Sequence, residues 1–408
     1  MKYRIVAILS TTLLVAACGK AGGTDQTATG PRTGPGVTAK TINLGVLTDT
    51  SGVAGGLAGP LLEGNQLFWK LQNAKGGVCG RQVNLLVKDH GYDPQKGLSL
   101  YREIEPDILA LQNLVGSPVA AALLPTMEKD GVVAAVAGWA SQLTAHRNII
   151  VSAATYDIEA INAVDYLVGN ASLARGDKLG HLYFEGESGD SALQGSKYAA
   201  QRHGVTLVEQ KIKVTETDLT AQVAAFKRAG VNAILITAGP KQTASLAGVA
   251  AASGLEVPLI ANSPGFDPAL LATPAARALE KNLTMVGGTA PYAASAPGAA
   301  VVARAYQDNF PKGRPTLGVG VGYAQSLLMF DVLQRSCTNL TRAGVVNALR
   351  GMDSVDTRGL VAGTLNFSKL GVPPSRSVYI SKVDPKAPGG LTVLGSVLES
   401  ANAKAYRP

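Results

Sequence analysis

The chain is predicted to be an α/β protein of two lobes, each a parallel sheet flanked by helices. Short apolar runs of the kind buried parallel strands show alternate with helical stretches through most of the sequence. These βα units fall into two successive groups, and two sheets imply two lobes. Of the 408 residues, 46% are hydrophobic and 5% aromatic, which fits a Val/Ala-rich α/β chain better than an aromatic-rich sandwich. The net charge is +8, but the basic residues form no run or one-faced stripe, so nucleic acid is not an expected partner.

The first residues, 1–17, have a basic start (Lys2, Arg4), an apolar centre and a small-residue end, Ala16-Ala17. This reads as a secretory signal, shorter than the ~20 residues of a spanning helix. Val15-Ala16-Ala17-Cys18 looks like a bacterial lipobox, in which Cys18 is acylated and becomes the mature N-terminus; an ordinary signal with a chance cysteine is the other reading. Residues 18–40, rich in Gly, Thr, Ala and Pro, read as a flexible tether.

The stretch Thr41–Gly80 organises the rest of the chain. An apolar strand (Ile42–Leu47) enters a Gly/Ser loop (Asp49–Gly59), and a helix expected to open at Pro60 carries an apolar stripe. Backbone N–H groups point out of such a strand–loop–helix corner, which makes it ligand-facing, yet no GxxxxGK[ST] or tight GxGxxG supports a nucleotide. Strands at Val83–Val87, Ile108–Leu111, Val132–Val136 and Ile149–Val151 complete the first group, with helices Pro94–Ile104 and Val119–Lys129 between them. In the second group, strands Leu179–Phe184, Val205–Gln210, Ala233–Thr237, Leu259–Ala261 and Leu283–Gly287 alternate with helices. Leu360–Phe367, Val378–Val383 and Leu391–Leu398 are strand-like runs split by Pro and Gly, and suggest a small meander.

This order resembles the type I periplasmic-binding-protein fold, and within it the branched-chain amino-acid and amide binders of ABC importers. The resemblance rests on LGVLTDTSGVAGGLAGP…NAKGGVCGRQVNLLVKDHGYDP, on YFEGESGDSALQGSKYAAQRHG and on GVGYAQSLLMFDVLQ, and it covers about residues 41–400. It implies two Rossmann-like lobes joined by a three-strand hinge. Lobe one would be 41–152 plus 290–350, and lobe two 153–289 plus 351–400. The ligand would lie in the cleft between them, at the carboxyl ends of the strands, with closure signalling occupancy. The two cysteines left after Cys18, Cys79 and Cys337, both fall in lobe one; in an exported protein they imply a disulfide, with two buried thiols as the alternative.

Carried over position by position, the resemblance makes Ser117 the candidate for a ligand carboxylate. It places Trp139, Ala140 and Ser141 in the next loop, where Trp139 is either a stacking wall or a cover for the core edge. Leu57 stands where leucine binders have an aromatic residue, Tyr156 where they have an acid, with Asp157 beside it. Ser188 and Gly239 stand where they have tyrosines, and Ser263-Pro264 falls near their second carboxylate. A buried α-ammonium lacking a carboxylate partner costs several kcal/mol, so a neutral or anionic ligand, larger than leucine and partly aromatic, is expected unless Asp157 supplies the charge.

Four histidines (His90, His146, His181, His203) match no metal or nucleophile motif and are expected at the surface or at strand ends. No enzyme, cofactor or metal is expected. The resulting expectation is a lipid-anchored, monomeric solute receptor outside the cytoplasmic membrane that hands its ligand to an ABC permease; a sensory module on the same fold is the alternative.

Overall fold

A computed structural model describes residues 31–408. Residues 1–17, Cys18 and the first part of the expected tether lie outside the described residues. Within that expected tether, Arg32–Thr33 (β1) pairs in parallel with Asn339–Leu340 (β12), so the chain is held to lobe one from Arg32 onwards.

Lobe one is built from β2 (Thr41–Thr48), α1 (Gly55–Ala74), β3 (Gln82–Asp89), α2 (Pro94–Ile104), β4 (Ala110–Val115), α3 (Ser117–Asp130), β5 (Ala134–Ala137) and β6 (Ile149–Val151). The chain then enters lobe two with α4 (Tyr156–Gly169), β7 (Lys178–Phe184), α5 (Glu187–His203), β8 (Thr206–Ile212), α6 (Thr220–Ala229) and β9 (Ala233–Thr237). It continues through α7 (Pro240–Ala252), β10 (Leu259–Asn262), α8 (Ala276–Asn282) and β11 (Leu283–Gly287). It returns to lobe one with α9 (Pro297–Asn309), α10 (Leu317–Arg335), β12 and α11 (Arg342–Arg350). It ends in lobe two with β13 (Tyr379–Val383), β14 (Leu391–Val393) and α12 (Ala401–Ala405).

The lobe-one sheet has the order β3-β2-β4-β5-β6 and is parallel throughout. The lobe-two sheet runs β14-β13-β11-β10-β9-β7-β8. It is parallel from β11 to β8, and β13 and β14 add an antiparallel edge. Side chains alternate across its strands. Leu235 joins the core against α4 and α5, whereas Ile234 and Ile236 face the second core beneath α6 and α7.

Three crossings join the lobes, at residues 152–155, 288–296 and 351–378. The second and third are laced together, since Ala290 N donates to Leu360 O at 2.9 Å and Ala362 N to Gly288 O at 2.8 Å. Those bonds explain why Leu360–Phe367, expected as a strand, joins no sheet. Its backbone groups serve the hinge and two isolated bridges instead.

The first helix also differs from expectation, starting at Gly55 rather than at Pro60. Asp49, fully buried, accepts from Gly52 N at 2.6 Å and Ala54 N at 2.7 Å. This folds the loop tightly enough for the helix to begin a turn early. Helices α1 and α10 then approach to backbone contact: a Cβ on Gly322 would stand 2.0 Å from Leu61 O, and one on Gly64 2.3 Å from Val319 O. Asn65 ties the pair by donating to Gly322 O at 2.7 Å.

Cys79 and Cys337, just beyond the C-terminal ends of these two helices, form a disulfide with Cα atoms 5.3 Å apart and 258 residues apart in sequence. A bridge closing so long a loop restricts the unfolded chain strongly. Replacing both cysteines by alanine is therefore expected to lower the unfolding free energy by roughly 2–5 kcal/mol, read as a drop in urea midpoint that 10 mM reductant reproduces in the parent protein.

A candidate ligand site between the lobes

In both sheets the parallel strands end on the same side, and the loops that follow them line one cavity of about 80 Å³. From lobe one, the loop after β2 supplies Ala54 and Leu57, that after β3 Tyr92, that after β4 Gly116 and Ser117, and that after β5 Trp139. Lobe two contributes Tyr156, Phe184, Ser188, Thr237, Ala238, Ser263 and Pro264. No Asp, Glu, Lys, Arg or His is among the lining residues. The lobes touch beside the cavity, where Ser141 N donates to Ser191 Oγ at 3.0 Å and the two hydroxyls lie 3.1 Å apart.

The electrostatics of this site come from backbone. Five helices, α1, α3, α4, α5 and α7, begin at its wall and bring the positive ends of their dipoles to it, although in α4 Tyr156 N already donates to Trp139 O at 2.8 Å and Ile158 N to Asp157 Oδ1 at 2.8 Å. The first turns of α1, α3 and α7 hold no acidic residue, whereas α4 has Asp157 and Glu159 and α5 has Glu187 and Asp190. The field therefore favours an anion at the lobe-one end, beside Ser117. At the lobe-two end, Phe184, Ala238 and Pro264 supply apolar surface beside the hydroxyls of Tyr156, Ser188, Thr237 and Ser263.

Of the residues singled out from sequence, Leu57, Ser117, Trp139, Tyr156 and Ser188 line the cavity, while Ala140, Ser141, Asp157 and Gly239 do not. Ser141 is taken up by its contact with Ser191. The Asp157 carboxylate turns back to accept from Thr155 Oγ1 and from Ile158 N at 2.8 Å, and burial raises its pKa, so it offers the cavity no counter-charge. Gly239 precedes α7 behind Ala238. Trp139 combines its two readings: 2% exposed, it lines the cavity and donates from Nε1 to Ser152 Oγ of the hinge at 3.4 Å. Its ring meets that of Tyr156 edge-on at 6.0 Å.

Tyr92, Phe184, Thr237 and Ala238 were not marked by sequence. For Phe184, Thr237 and Ala238 the available signal was position, at or just after the carboxyl end of a predicted strand. His90 and His181 are both fully buried; His90 directly follows β3, at a strand end as expected, whereas His181 differs from expectation in lying in the middle of β7. His181 bonds Ser196 Oγ and Thr237 Oγ1, both at 2.9 Å, and burial pushes its pKa down to about 3, so it stays neutral and occupies the Thr237 hydroxyl.

The periplasmic binding protein family matches residues 41–389. The chain belongs to this family. As a type I periplasmic binding protein of the ABC-transporter substrate-binding kind, it is similar over 92% of its length to a fatty acid ABC transporter substrate-binding protein from Thermomonospora curvata. The two are 40% identical, with a TM-score of 0.89 and 97% of that chain covered. A branched-chain amino acid ABC transporter protein from Thermus thermophilus with bound valine shares the fold at 16% identity, with a TM-score of 0.78, over 90% of this chain and 99% of that one. So does a leucine-binding protein from Thermotoga maritima at 16% identity and a TM-score of 0.74, over 88% and 99%. No curated protein sequence matches the chain. Among the described residues no helix is long and apolar enough to cross a membrane.

Behind the cavity, Glu159 joins the ligand wall to the hinge. Its Oε2 accepts from Ser263 N at 3.1 Å and its Oε1 from Gly288 N at 3.0 Å. Burial outweighs these bonds and raises its pKa to about 8. A raised carboxyl pKa means the folded chain keeps a proton that the unfolded chain loses above its ordinary range, so this group's stabilisation fades as pH rises towards 8. Between about pH 5 and 8 the stability of Glu159→Gln is expected to fall less steeply than that of the parent, by about one proton in the slope. Urea unfolding across that range checks this; equal slopes would mean that Glu159 is ionised in the fold.

Proposed function

We propose that this chain is the solute receptor of an ABC importer for a short carboxylic acid with an apolar body, rather than for an α-amino acid. The observation that carries the reading is the cavity wall: five helix N-termini and no charged side chain. An anionic head is favoured by the N-termini and by the Ser117 hydroxyl. An α-ammonium would be buried with no carboxylate beside it, at a cost of several kcal/mol.

The space between the lobes, about 80 Å³, is compact and supports a short chain. The relative from Thermomonospora curvata, described as a fatty acid receptor, agrees with this chemistry. Membership of the family places the folded part outside the cytoplasm. Cys18 supplies the lipid attachment and residues after it the leash, a monomer delivers the ligand to the permease, and closure of the lobes reports occupancy.

Thermal unfolding against propionate, butyrate, isobutyrate, palmitate, valine and leucine tests the reading. A ligand at 100 times its Kd adds about 2.7 kcal/mol of stability. The expected result is a shift with the short acids and none with the two amino acids; a shift with valine or leucine alone would overturn it. Ser117→Ala is expected to weaken butyrate by about tenfold or more, the worth of a hydrogen bond to a charged group, measured by titration calorimetry.

A further inference from the structure

Two phenols on the cavity wall stand apart from the helix N-termini and from Ser117. Tyr92 belongs to lobe one and has a left-handed backbone, φ 65°, which a bulky residue adopts only when its surroundings impose it. Part of that imposition is visible: Tyr92 N donates to His90 Nδ1 at 3.0 Å, and the ring lies over Gly116. A Cβ on Gly116 would stand 2.8 Å from the ring, and Gly116 itself has φ 94°, so glycine there leaves the ring its place beside Ser117. Tyr156 opens α4 on the lobe-two side and is 5% exposed.

Both side chains line the cavity, and among the described residues neither hydroxyl donates a hydrogen bond to another group of the protein, although that of Tyr156 accepts from the Trp139 backbone. A largely buried phenol ordinarily finds an acceptor. The two rings face the same cavity of about 80 Å³, one from each lobe. Burial, followed by the charges of Asp49 and Glu187, raises the Tyr92 pKa to about 12, and burial and Glu159 raise that of Tyr156 further. Both therefore remain O–H donors at any physiological pH.

Building on the proposed ligand class, we infer that Tyr92 and Tyr156 form a hydroxyl clamp in which one phenol from each lobe donates to the ligand's polar head. Closure then depends on a head group that accepts from both sides. A carboxylate or an amide carbonyl satisfies the pair. A head that only donates can use the phenols only as acceptors, which leaves both O–H protons without a partner in the closed cleft. The clamp adds to Ser117 a requirement that spans the lobes, so it acts on closure as well as on contact.

The test is titration calorimetry of butyrate, butyramide and valine with the parent, Tyr92→Phe, Tyr156→Phe and the double variant. Phenylalanine keeps each ring in place, and unligated melting temperatures show whether each variant is folded. If one single variant fails to fold, the other carries the test. The expected result is that each variant weakens butyrate by about ten- to a hundredfold, and that the double variant loses less than the product of the two single losses. Binding of butyrate within twofold of the parent in the folded variants would overturn the clamp and leave the carboxylic-acid reading standing. Binding of butyramide but not butyrate, weakened by the same variants, would overturn the acid reading and leave the clamp. Binding of valine alone would overturn the acid reading, and would overturn the clamp as well if the folded variants left that binding within twofold of the parent; binding of none of the three would overturn both.

Discussion

A helix that follows a parallel strand must start where the strand ends, and that constraint organises this molecule. Both lobes apply it, and the three crossings turn the two sets of strand ends towards each other. The outcome is a cavity whose polarity is carried by peptide groups. Five helix N-termini meet there without a lysine or arginine to supplement them. Backbone polarity of this kind is fixed in place by the fold, so no side-chain rotamer has to be ordered when the ligand enters, and it remains effective where water is excluded.

The same cavity wall is mechanically continuous with the hinge. Ser263 touches the ligand space and donates to Glu159, which also accepts from Gly288 at the second crossing. Trp139 touches it too, and bonds Ser152 in the first crossing. The third crossing is laced to the second through Leu360 and Ala362. Each crossing is thus within one to three hydrogen bonds of a residue that lines the cavity. A ligand can shift two lobes only by binding one arrangement better than another, and these links tie the cavity wall to the crossings about which such a shift would turn.

How much of this was legible in the sequence depended on the range of the interaction. The βα alternation reflects local periodicity, and it located strands such as Ala233–Thr237 and Leu283–Gly287 to the residue. The start of α1 was missed because Pro60 looks like a first-turn residue, whereas the Asp49 carboxylate, six residues before the helix, folds the loop earlier. Loop residues were harder, since adjacent side chains in a turn point in opposite directions. Tyr156 faces the cavity while Asp157 faces back to Thr155, and Ser141 is turned to the other lobe. Tyr92 carried no signal at all, because its exposure to the cavity depends on a left-handed backbone and on Gly116 across the sheet.

This difference in legibility has a physical consequence for specificity in the family. The strand ends and helix starts are set by packing, and in this chain they give the cavity its positive backbone polarity. What distinguishes one ligand from another must then lie in the side chains that counter or leave that polarity unanswered. A carboxylate near the second lobe would make room for an ammonium. Here the acids nearest that position, Asp157 and Glu159, are turned to Thr155, Ile158, Ser263 and Gly288, and burial pushes both towards the neutral form. Both carboxyls are thus committed to the scaffold of the hinge, and no acidic side chain is among the residues that line the cavity.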